Sequence, residues 1–86
     1  MPTISTFLGI AIRMYYNEHA PPHFHIYYNE YLAEIRIDTF EIIAGNLPKR
    51  VLSLVIEWAI EHRTELFDNW HKSEQHLPLN SIAPLE

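Results

Sequence analysis

The 86 residues carry a formal net charge of −5, with 48% hydrophobic and 13% aromatic side chains and no cysteine. Such a chain is long enough for one folded domain spanning 1–86 and too apolar to be disordered. Disulfide staples, a thiolate nucleophile and cysteine-bound zinc are excluded. The first fifty residues hold four basic and five acidic side chains and the remainder two and six. Extensive duplex DNA binding by the isolated chain is therefore not expected, because it rests on many Lys/Arg contacts to phosphate.

The opening Met1-Pro2-Thr3-Ile4-Ser5 has neither the basic region nor the apolar run of a signal peptide. No apolar stretch approaches the ~20 residues of a membrane span, so the expected location is cytoplasmic, with no membrane partner. Residues 3–7 and 10–16 are rich in β-branched and aromatic side chains and are split by Gly9. They read as an extended arm or bent strand leading into a first strand. In that strand Ile10, Ile12 and Met14 share one face with Tyr16, and Ala11, Arg13 and Tyr15 take the other. Asn17 to Pro22 is a turn-rich connection, its two prolines favouring an extended approach.

Strands over 23–28 and 31–38 are joined by the two-residue loop Asn29-Glu30, the register of a short hairpin. This register pairs Phe24, Ile26 and Tyr28 with Ile35, Ala33 and Tyr31 on a core face. It sets His23 across from Arg36, His25 across from Glu34, and Tyr27 across from Leu32 on the other. A one-residue slip would invert every side chain, so the clean separation of apolar from polar supports the register. A reversal at 38–41 leads to a short strand over 42–44.

Asn46 reads as a helix N-cap, with Pro48 tolerated in the first turn. From there to about Trp70, apolar residues recur at three- and four-residue spacing in a broad stripe, and Glu57, Glu61, Glu65 and Asp68 form the solvated side. Pro78, Asn80 and Pro84 preclude further long helix, and Leu79, Ile82 and Leu85 are placed to pack back as an extended tail. The predicted architecture is α+β: a small antiparallel sheet of three to four strands, packed by one long helix in the C-terminal half.

The chemistry-bearing run is His19-Ala20-Pro21-Pro22-His23-Phe24-His25. His23 and His25 fall on one strand face. One reading is acid–base chemistry on an anionic substrate, with His23 and His25 as acid and base and Arg36 stabilising charge in the transition state. Arg13 and Arg36 on the same face, with Lys49 and Arg50 in the first helical turn, form the candidate anion-binding set. Cations there oppose the helix dipole unless an anion is present. A second reading is a shared ion on His19, His23 and His25, with Glu34 adding a carboxylate. Without cysteine or a zinc signature the assignment is no metal and no cofactor. The plainest reading is a set of cross-strand pairs on a wet sheet face, each worth under ~1 kcal/mol. His62, His71 and His76 read as surface residues, and Trp58 and Trp70 as core anchors.

Several segments together resemble a small prokaryotic family, domain of unknown function 4160. They are Met1-Pro2-Thr3-Ile4-Ser5, Gly9-Ile10-Ala11-Ile12-Arg13-Met14-Tyr15, Pro21-Pro22-His23-Phe24-His25, Ile37-Asp38-Thr39 and Gly45-Asn46-Leu47-Pro48-Lys49-Arg50. Further along come Glu57-Trp58, His62-Arg63, Asn69-Trp70 and Pro78-Leu79-Asn80-Ser81-Ile82. The resemblance runs nearly end to end, and Pro-Pro-His-Phe-His is its most specific part. It implies a component of a two-gene, toxin–antitoxin-like cassette, with a small protein partner encoded nearby. The expectation is a His/Arg anion-binding face with RNA as candidate target. The alternative is a non-catalytic interaction module that uses the sheet face or the acidic helix.

Overall fold

The computed structural model describes residues 2–86; Met1, which opens the resembling N-terminal segment, lies outside the described residues. Five strands, β1 (Thr3–Phe7), β2 (Ile10–Arg13), β3 (His23–Tyr28), β4 (Tyr31–Arg36) and β5 (Ile42–Gly45), pair antiparallel in sequence order. Two helices, α1 (Lys49–Glu61) and α2 (Arg63–Glu74), follow. No helix among the described residues is long and apolar enough to cross a membrane. The class is α+β, as the order of strands before helices predicts.

The central hairpin has the register read from the alternation. Phe24 pairs with Ile35, Ile26 with Ala33 and Tyr28 with Tyr31, while His23, His25 and Tyr27 pair with Arg36, Glu34 and Leu32. Phe24, Ile26, Ala33 and Ile35 are buried in the core with Val55, Trp58 and Ala59 of α1. Asn29 in the loop takes φ 51°, a conformation its short polar side chain tolerates.

Several details differ from the sequence expectation; β2 and β4, for example, end at Arg13 and Arg36, short of the expected 16 and 38. Residues 3–7 are a full strand and not an arm, because Leu8 and Gly9 take φ of 51° and 78° and turn the chain so that Phe7 faces Ile10. With β5 this makes five strands. The long helix is two helices, broken at His62 (φ −121°, ψ 20°). Twenty-six residues of continuous helix would run about 39 Å at 1.5 Å per residue, beyond the molecule's longest extent of 34 Å. The stripe also lapses between Ile60 and Leu66. The bend lets Leu66, Trp70 and Ser73 pack as buried residues.

Asn46 does not cap α1. The residue before the helix is Pro48, with no side-chain cap, and the Asn46 N–H donates instead to the Leu32 carbonyl at 3.1 Å, so Asn46 extends the pairing of β5. The tail packs back as the apolar spacing predicts. Ile82 is buried and its N–H donates to the Ile4 carbonyl at 2.7 Å; Trp58 Nε1–H donates to the Ala83 carbonyl at 2.8 Å. Asn69, itself buried, both donates to Asn80 O and accepts from Asn80 N–H, each at 2.9 Å.

Candidate functional site

The face of the sheet turned away from the core carries a transverse row, Arg13–His25–Glu34–Ala44, running across β2 to β5. His23 and Arg36 face each other one step along the same face. Strand alternation alone accounts for this display. The connection from β2 to β3 then folds Glu18 over it.

His23 is the buried histidine of the cluster. It is 5% exposed, its ring lies 5.3 Å from that of Trp70 on α2, and the His25 ring is 5.2 Å away. Its Nδ1 is 2.7 Å from the Pro21 carbonyl oxygen. That oxygen can only accept, so Nδ1 carries a proton and donates it. Nε2 is thereby turned toward Glu18 and Glu34, whose Oε1 atoms lie 3.4 and 3.5 Å away. It is buried and has no hydrogen-bond partner among the described residues. His25 Nε2 is hydrogen-bonded to the Glu18 carboxylate, and the His25 ring meets Tyr15 edge-on at 4.6 Å. Tyr15 and Tyr27 share a hydrogen bond of 2.5 Å between hydroxyls, and the Arg13 guanidinium lies 4.4 Å over the Tyr27 ring. That hydrogen bond, followed by burial, raises the Tyr27 phenol above its ordinary range.

One ligand atom from each of Glu18, His23 and His25 lies within 4.8 Å of the others. His19, named with His23 and His25 as a shared-ion set, is exposed and does not join this group; its neighbour Glu18 takes that place. Glu18 escaped the sequence reading because it lies in a turn, seven residues from His25, outside any strand or helix period. An acidic residue flanking a proline-bounded histidine pair was the available signal.

The four cations do not converge. Arg36 gives Asp38 two parallel hydrogen bonds, Nε–Oδ1 at 2.8 Å and Nη2–Oδ2 at 2.7 Å, so its guanidinium is already engaged by a carboxylate. Arg50 lies beside Leu8, Ile10 and Tyr28, at the opposite end of β3 from His23. Lys49 is its neighbour on α1. The expected single pocket near the helix N-terminus is therefore two separate regions, because the meander puts that terminus at the hairpin end of the sheet. His62 pairs with Glu65 at 2.5 Å, and His76 stacks on Tyr16, both away from the cluster.

Beside His25 a groove of about 260 Å³ runs over β3 to β5, lined by Tyr27, Leu32, Glu34, Ala44 and Gly45 among others. Leu32, which lines this groove, is exposed. Neither the curated proteins nor the solved structures contain a match to the chain. The family model described as domain of unknown function 4160 (DUF4160) matches residues 9–71, which takes in the histidine strand, the whole sheet after β1 and most of both helices. The chain belongs to that family.

Proposed function

We propose that the chain is a small cytoplasmic component of a toxin–antitoxin-like pair that acts on RNA through the His23–His25 cluster. The observation that carries this reading is the convergence of two imidazoles on the Glu18 carboxylate, with Arg13 in the same transverse row. A carboxylate-held imidazole is fixed in tautomer and orientation, as a proton-transferring group must be. Arg13, level with His25, supplies a cation for a phosphate. Arg36 can join only by leaving Asp38.

The test is expression of the chain with and without its neighbouring gene, followed by growth and RNA integrity. Growth arrest with RNA fragments from the chain alone, relieved by the neighbour and by His25→Ala, supports the reading. With purified chain, His25→Ala should slow cleavage by roughly 10²–10⁴-fold, the range for a positioned acid or base. Intact RNA and normal growth would reject it.

The exposed apolar groove favours a second reading, a protein-interaction module. Leu32→Glu should then abolish co-purification with the neighbour's product while leaving any RNA cleavage in place. Cleavage lost along with binding would tie the two to one surface.

A further inference from the structure

We propose that Glu18, His23 and His25 form a binding site for a divalent transition-metal ion of the zinc class, with Glu34 as fourth ligand. The inference takes from the reading above only the placement of the working site at this cluster. With a metal on both Nε2 atoms the imidazoles are ligands and not the proton-transferring pair, so it is tested by binding alone.

The argument begins with the orphaned nitrogen. His23 donates from Nδ1 to the Pro21 carbonyl, so its Nε2 lone pair faces two carboxylate oxygens inside a nearly solvent-free pocket wall. A lone pair facing negative oxygen is repulsive, and a buried polar atom without a partner is costly. Something positive belongs between them. Among the described residues the two arginines of this face do not fill that place: Arg36 is held by Asp38, and Arg13 lies over Tyr27.

The distances choose the kind of cation. Zinc-type ions hold nitrogen and oxygen at about 2.0–2.2 Å, so the edges of a tetrahedron around them are roughly 3.3–3.6 Å. The two contacts from His23 Nε2, 3.4 Å to Glu18 and 3.5 Å to Glu34, are that long. Both are too loose for a hydrogen bond between these atoms. The contact between His25 and Glu18 must open on metal binding, which a glutamate rotamer in a surface turn permits. The His25 Nε2 proton must also leave to solvent or move to Nδ1, so that the Nε2 lone pair can face the ion. Two imidazoles and two carboxylates make a nitrogen–oxygen set suited to zinc, nickel, cobalt or manganese and poor for magnesium or calcium. The Pro21 carbonyl on His23 Nδ1 is the outer-sphere hydrogen bond that orients a metal-bound imidazole. Two carboxylates also balance the ion's charge.

The experiment is calorimetric titration of Zn²⁺ into the full chain after chelator dialysis, with imidazole ¹⁵N spectra recorded alongside. The expected result is one equivalent bound, with Nε2 of both His23 and His25 shifted. Glu18→Gln and His25→Ala should each weaken binding by at least roughly 10²-fold, since even outer-sphere partners are worth ~10–100-fold. Glu34→Gln should weaken it less, and His19→Ala not at all. Both Glu18 and His25 are partly exposed, so these variants are expected to fold, and a thermal melt of each verifies it. No saturable binding overturns the proposal, as does binding that survives Glu18→Gln and His25→Ala unchanged. A His23 Nε2 that is protonated in the free chain and unmoved by Zn²⁺ overturns it too, by showing an imidazolium bridging the carboxylates. Equal affinity for Mg²⁺ would overturn the zinc-class assignment.

Discussion

The Arg36–Asp38 pair decides what Arg36 is free to do. Its doubled hydrogen bond holds the Asp38 carboxyl below its ordinary value of 3.8 and raises the Arg36 guanidinium further. Both side chains are substantially exposed to solvent, which screens the pair. A carboxylate with a depressed folded value contributes stability above its unfolded value and loses it as pH falls through the folded one. The Asp38 carboxyl should therefore titrate by NMR below its ordinary value and return to it in Arg36→Ala. An unchanged midpoint would show that the pair does not persist in solution. Asp38→Asn should release Arg36 toward His23 and tighten phosphate binding at that end of the sheet. Strand alternation was sufficient to put Arg36 across from His23. It could not show that a carboxylate two residues on, past the end of the strand, captures the guanidinium. The same blindness to turns hid Glu18, whose place depends on how the 17–22 connection folds and not on any period.

Elements were legible where period and punctuation agree, and less so where packing sets the limit. The hairpin of β3 and β4 follows from alternation about Asn29-Glu30, since any slip would bury His25 and expose Phe24. The break at His62 follows from the size of the sheet that the helix must cover, which no local propensity records. Gly45 marks another such limit. A Cβ there would lie 2.0 Å from the Leu32 carbonyl oxygen, at φ 73°. Gly45→Ala should destabilise the domain by about 1–3 kcal/mol, the scale of a strained backbone position, measured by urea unfolding. A loss under ~0.5 kcal/mol would mean that β5 leaves β4 easily. Asn69 ties α2 to the tail through two hydrogen bonds to Asn80. Asn69→Ala should cost about 1–3 kcal/mol and open residues 77–86 to protease. An uncut tail would put its anchoring on Ile82 and the Trp58–Ala83 bond instead.

At the scale of the whole molecule, the meander separates two groups of cations that lie in one half of the sequence. Arg13 lies in the row of His25, whereas Lys49 and Arg50 sit at the Tyr28 end. From His25, level with Arg13, to Tyr28 is three residues of β3, roughly 10 Å at ~3.3 Å each. The screening length at physiological ionic strength is only about 8 Å. Charges at the two ends therefore act independently, against a background of net −5 that weakly repels any anion. Phosphate titration followed by amide NMR should consequently give two sets of shifts with separate saturation constants, one around Arg13 and His25 and one around residues 45–50. Replacing Lys49 and Arg50 together by Glu should erase the second set and leave the first within about twofold. Arg13→Gln should do the reverse, because it removes the only guanidinium in the histidine row. A single transition, with β2 and residues 45–50 moving together at one midpoint, would restore the single anion pocket that the sequence pattern suggested. It would also require α1 to shift toward the histidine end of the sheet when an anion binds.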